Sequence, residues 1–308
     1  MTTQAAPPAH LHAVGGRALG WLFEHREHFR LTEEDRATTS GLVERLKPIS
    51  ELAIITHVLF REGVAGARQR EQAGALLDFA WRDLLDGGNE LARLQQDEPL
   101  STIPLETYAV FHGHGYRHPR LQAGVTLSRR LRNWTAQEHL PNRRLGILNW
   151  ERRLGLAPSG NVGQAVSRTW LGQLPEPWTL QYATAYDLTH TVFHLTDWGE
   201  APDRIPPRIA DYLTLYLPAW LDEWADLQHW DLLGELLVVD ACLPYPALDR
   251  RIWERYAAAQ APDGAMPAHR TLPQGDTDHV FDQVHHPTLV AAFASAMATS
   301  RALTTSPA

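Results

Sequence analysis

An all-α fold of about a dozen helices is what this sequence predicts, and three observations carry the prediction. Apolar residues recur every three or four positions along most of the chain. No sustained period-two run of β-branched residues occurs anywhere. Prolines and glycines fall between the periodic stretches, where they start and stop helices. Helices joined by short links pack as antiparallel pairs, and with so many pairs the usual closures are a solenoid and a ring. The absence of a clean repeat of about 34 or about 40 residues counts against the solenoid.

Taken in order, residues 1–9 are small, polar or proline and are expected to be disordered. Residues 10–302 are expected to form a single all-α domain, and 303–308 a loose tail. The first helix, over 10–29, spaces Leu11, Val14, Ala18, Leu22 and Phe29 at helical intervals, and its dipole suits His25 and His28 near the end. Thr32 with Asp35 has the form of a capping box, opening a helix that runs to about Lys47. Pro48 resets the chain, a third helix covers 49–61 with His57 on it, and a fourth covers 71–86 before Gly87 and Gly88. Pro104 begins a helix that runs into FHGHGYRHP, where two glycines place His112, His114 and His118 at a helix end or in a loop. These three could converge on a metal or simply decorate a turn. Helices then follow over 119–139, 142–154 and 162–171. The central helix opens at 175–177, where proline suits a first turn, and exits at Gly199. Beyond APDRIPP come helices over 208–230, broken at Pro218, then 231–242, 247–260 and 286–301.

Composition narrows the function. The net charge of −8 argues against a general nucleic-acid binder, which needs clustered Lys and Arg. The cluster Arg129, Arg130, Arg132, Arg143, Arg144, Arg152 and Arg153 is the exception, and reads as an ion-paired surface or an anion site. Lys47 is the only lysine. Cys242 is the only cysteine, so there is no intramolecular disulfide and no Cys-rich zinc module. With no basic-then-apolar leader and no apolar run of about 18 residues, the expected location is cytoplasmic, without membrane or nucleic-acid partners; a homodimer is compatible with all of this.

The chemistry gathers in QYATAYDLTHTVFHLTDWG. Asp187, His190, His194 and Asp197, at offsets of 0, 3, 7 and 10, share one face of a helix whose body is apolar. Buried imidazoles and carboxylates need partners, so the stripe points to a polar centre. His190 and His194 are one turn apart, the spacing with which helical histidines grip Zn or Fe, and either aspartate can complete or orient such a set. No glutamate stands at 191, which excludes the metalloprotease motif. Asp197 sits near the helix end, where the dipole disfavours an acid, so it should have a partner. A third ligand is expected from another helix, with His286, Asp240 and the 112–118 loop as candidates. The alternative is a set of hydrogen bonds across a helix interface.

The run VVDACL at 238–243, then AAAQAPDGAMP at 257–267 and HHPTLVAAFASAMA at 285–298, resembles the last turns of the α/α toroids of protein prenyltransferase β subunits and terpenoid cyclases. The resemblance covers under a quarter of the chain. It implies an α/α toroid with a central cavity, a Gln-x-x-x-Gly turn between helices, and a zinc set of Asp240, Cys242 and His285 or His286. The diphosphate-binding Lys and Arg of the prenyltransferases and the Asp-x-Asp-Asp of the cyclases have no counterpart, so neither reaction is implied. LTHTVFHLTDWG, NRRLGILNWERRLG and HHPTLVAAF are similar to an uncharacterised family of actinomycete proteins associated with natural-product gene clusters.

The expected function is therefore a tailoring enzyme of bacterial secondary metabolism that acts on a small molecule or peptide. Asp187, Asp197 and Asp240 are its candidate catalytic residues, and His190, His194 and His286 its ligands for a divalent metal, Zn or Fe. A non-catalytic binding or carrier-interaction protein using an aromatic-lined cavity is the alternative. Metal-free acid–base catalysis by a histidine poised by an aspartate is a third reading.

Overall fold

The computed structural model describes residues 4–63 and 66–305. Among them are sixteen α-helices and no named strand, as expected of an all-α chain; the single β-bridge joins Ala5 to Asp249. The helices group into two compact units. One is built from the described parts of 1–28, 58–73 and 170–308, the other from 29–57 and 74–169.

The first unit is organised around the helix Trp230–Cys242, every residue of which is buried. Its apolar residues circle the whole helix, the signature of a core helix. It packs on four others: Tyr182–Leu195, Pro207–Asp226, Arg250–Ala259 and Thr277–Thr305. Leu232, Leu233, Leu236, Leu237, Val238 and Val239 are each at most 1% exposed. At roughly 1.5–3 kcal/mol per side chain, their burial is large enough to carry the acids set among them.

The first helix, Pro8–Glu24, lies against the last, Thr277–Thr305. Their backbones approach closely at Gly15, where a Cβ would overlap Ser295. Ser295 Oγ accepts from Gly15 N at 2.9 Å and donates to Leu11 O at 2.6 Å. Near the same helix end Trp21, His25, His28, Phe281 and His285 form a stack of rings, which gives His25 and His28 a packing role beyond the dipole. The Gln-x-x-x-Gly turn is present: Gln260 Nε2 donates to Gly264 O and to Val14 O, and Gly264 at φ 107° comes so close to Arg17 O that no side chain would fit.

The second unit contains Asn89–Asp97, Ile103–Gly113, Pro119–Ser128, Pro141–Arg153 and Val162–Arg168. Its buried anchor is Glu151, fully enclosed, which accepts from Trp134 Nε1 at 3.1 Å and Ser159 N at 2.7 Å and faces Arg129 at 3.4 Å. Part of the arginine cluster is thus ion-paired, as Arg143 is with Glu106 at 3.9 Å.

Several boundaries differ from the sequence reading, mostly at proline. Thr39–Glu62 runs straight through Pro48, Pro207–Asp226 through Pro218, and Thr277–Thr305 through Pro287. A proline inside a helix costs about 3 kcal/mol, and at Pro48 the burial of Leu46, Ile49 and Leu52 outweighs it. The capping box at Thr32 and Asp35 forms, but the helix it opens ends at Ala37. The central helix starts at Tyr182, after a 3-10 turn over Pro177–Thr179. Residues 1–3 and 306–308 of the two expected loose ends lie outside the described residues. Within the rest, Ala6 N bonds Leu248 O, Arg250 N bonds Gln4 O, helix begins at Pro8, and the last helix reaches Thr305. These backbone pairs hold 4–9 in place where disorder was expected.

Candidate active centre

His190 and His286, from the central and the last helix, converge on carboxylates of the buried helix. His190 Nδ1 is 3.7 Å from Glu235 Oε2, and His286 Nε2 is 3.6 Å from Glu235 Oε1 and 3.5 Å from Asp231 Oδ1. Glu235 is 3% exposed, whereas the two imidazoles are 29% and 35% exposed. One anion therefore stands behind two histidines that reach the surface.

Each acid has a further donor. Thr189 Oγ1 donates to Glu235 Oε2, and Tyr186 Oη donates to Asp231 Oδ2 at 2.5 Å. Asp231 and Glu235 are one turn apart, and Asp231 lies in the first turn, where the dipole favours an acid. Burial alone would raise the Glu235 carboxyl, but His190, His286 and Thr189 outweigh it and hold the group below the usual range. Burial, then Asp231 and Glu235, push the Tyr186 hydroxyl far up, so it remains a donor. The same causes raise Tyr256, whose Oη is enclosed without a hydrogen-bond partner among the described residues. Gly234 leaves room for that hydroxyl; a Cβ there would overlap it.

The tautomer of His190 follows from its contacts. Nδ1 is 2.9 Å from Tyr186 O, and a carbonyl only accepts, so Nδ1 carries hydrogen. In the neutral ring Nε2 then carries the lone pair. A carboxylate behind Nδ1–H stabilises the imidazolium that forms when Nε2 takes a proton, the role of the acid in catalytic triads.

The other expected site residues lie elsewhere. His194 is buried edge-on against Trp198 and His190, with ring centroids 5.9 and 6.2 Å away. Asp187 is half-buried one turn before His190, and its carbonyl accepts from the Thr191 hydroxyl. Asp197 is not in the helix's last turn, because the helix ends at Leu195; it is buried at φ 55° beside Trp198 at φ 57°. Arg61 holds this left-handed pair through Asp197 O and Trp198 O, at 3.4 and 2.7 Å. Asp240 caps the loop that follows its helix, accepting from Ala247 N and Leu248 N at 3.0 and 2.8 Å. Cys242 is enclosed beside Thr196, with burial pushing its thiol up to about 12, so it is inert as a thiolate.

Among the described residues no group of three or more His, Cys, Asp and Glu is arranged to hold an ion. The sequence reading missed Glu235 and Asp231. The signal was there: two acids four residues apart inside WDLLGELLVV, an otherwise apolar run in which an unpaired acid is costly.

Fold and centre together define a class: an all-helical protein with a buried carboxylate pair behind two surface-reaching histidines. The chain matches, over residues 15–296, the profile of a domain of unknown function (DUF6895), and it belongs to that family. No curated protein and no solved structure matches it.

Proposed function

We propose that the chain is an enzyme that uses His190 as a general acid–base, with Tyr186 O orienting the ring and Glu235 stabilising its charged form, and that His286 with Asp231 serves as the partner acid–base. The observation that carries the reading is the convergence of two half-buried imidazoles from different helices on one enclosed carboxylate. Such a pair can take a proton at one nitrogen and return one at the other, the requirement of eliminations, isomerisations and hydrolyses. A small molecule or peptide is the substrate class, following the likeness to proteins of natural-product clusters.

The test compares metabolites in cells that carry the wild-type gene, no gene, His190→Gln or Glu235→Gln, with the fold of each variant checked by circular dichroism. Products present with the wild type and lost in both folded variants support the enzyme. Products that persist in folded His190→Gln overturn it in favour of a binding role. Reaction in a lysate should survive EDTA, because the proposed proton transfers need no ion.

A further inference from the structure

The second unit holds a half-open cavity of about 480 Å³ between residues 135 and 168, a volume within the range of small-molecule sites. Its polar lining includes Arg144, Arg168, His139, Gln137, Asn161 and Gln164, with Glu138 the sole acid among the lining residues. Leu148 and Ala165 add an apolar wall.

Arg144 is held in an unusual way. Its Nη2 donates to Ser159 O at 3.1 Å, while Nη1 is enclosed and has no hydrogen-bond partner among the described residues. Other arginines of the cluster have acceptors: Arg129 faces Glu151, Arg143 faces Glu106, and Arg152 donates to Asn149 Oδ1 at 3.1 Å. The cavity lining sets two guanidiniums, Arg144 and Arg168, against a single acid, so its charge favours an anionic occupant. His139 feels the same field. Burial first, then Arg144 and Arg143, hold it below its ordinary value, so the cavity disfavours a further positive charge and favours a negative one.

We propose that this cavity binds a small organic anion, a carboxylate or phosphate monoester, with the charged end at Arg144 and the apolar part against Leu148 and Ala165. The planar fork of a guanidinium suits both oxyanions. Arg168 and the amides of Gln137, Asn161 and Gln164 supply donors around the same space. No residue is shared with the His190 centre, so this site stands or falls independently of the catalytic reading.

The experiment is an NMR titration of the full chain with phenyl phosphate, benzoate and the neutral benzyl alcohol, following the His139 ring. One or both anions should give a saturable shift and raise the His139 titration midpoint, and benzyl alcohol should give neither. Phenyl phosphate alone would assign phosphate esters, benzoate alone carboxylates. Arg144→Gln should weaken binding at least tenfold. If that variant does not fold, the exposed Arg168→Gln provides the same comparison. Silence at His139 with millimolar anion, equal binding of benzyl alcohol, or undiminished binding in the folded variant would overturn the proposal.

Discussion

Each unit holds a pair of histidines, and the two pairs sit in opposite fields. In the first unit His190 and His286 face Glu235 and Asp231. In the second, Arg153 Nη1 lies 3.0 Å from His57 Nε2, and His57 Nδ1 lies 2.9 Å from His114 Nε2. A guanidinium only donates, so His57 Nε2 accepts, its Nδ1 carries the hydrogen, and His114 accepts in turn. Both rings of that chain are neutral. Burial and Arg153 hold His114 below its ordinary value. What separates a structural from a chemical histidine pair here is therefore the charge behind it. Two imidazoles in contact, as at 57 and 114, are a hydrogen-bonded brace; the two that share a buried anion have a negative charge behind them, which favours their protonated form.

The largest effect is expected from Glu235→Gln. Removing one partner from a buried charged set costs about 3 kcal/mol, read by urea unfolding at pH 7. In the unfolded chain this carboxyl takes its proton near its ordinary 4.5, and in the folded protein only at lower pH. The stability it contributes is thus complete above that ordinary value and is lost as pH falls through the lower folded one. The variant should show a flatter acid limb than the wild type. An unchanged limb would break the contrast between the two pairs.

A third environment sharpens it. His229 is buried against Trp224, Tyr182 and His269, with neither ring nitrogen hydrogen-bonded among the described residues. Burial, then His269, push it down to about 4 from 6.5. The unfolded chain binds this proton first, so stability is full above 6.5 and declines as pH falls toward 4, by at most about 3 kcal/mol. In His229→Asn the loss between neutral and acid pH should shrink by that amount. A variant as acid-sensitive as the wild type would refute the assignment.

The smallest effect belongs to the brace. Arg153→Gln removes the positive neighbour, and the NMR titration midpoint of His114 should rise, with stability changed by no more than about 0.5 kcal/mol. A midpoint that stays or falls would show that burial alone sets it.

Helical class and the rough order of elements were legible because periodicity and caps are local. Thr32 with Asp35 shows this, as does the Gln260 to Gly264 turn. The prolines misled for the opposite reason: whether Pro48 or Pro287 interrupts a helix depends on what the flanking residues bury, which only tertiary packing decides. His190 was legible from its place on a polar stripe. His194 stood out equally, but the ring that received it, Trp198, follows a helix end two residues earlier than the stripe suggested. His286 was reached through a likeness to zinc proteins, yet its partners here are carboxylates. Asp240 and Cys242 looked like ligands by spacing, and what they do depends on the loop at 247–248 and on Thr196. Glu235 was invisible to a search for clustered polar residues because its partners come from two other helices, about 45 residues before it and about 51 after it in the chain.

The clasp between Gly15 and Ser295 bears on how the chain is made. Residues 29–57 and 74–169 are complete before residues 170–305 of the first unit are synthesised, so the second unit can close while the ribosome is still at work. The first unit cannot. Its opening helix waits for a partner some 280 positions later, and Glu235 lacks His286 until the helix Thr277–Thr305 emerges. A nascent chain therefore carries an apolar helix without its docking partner until the residues around Ser295 have emerged.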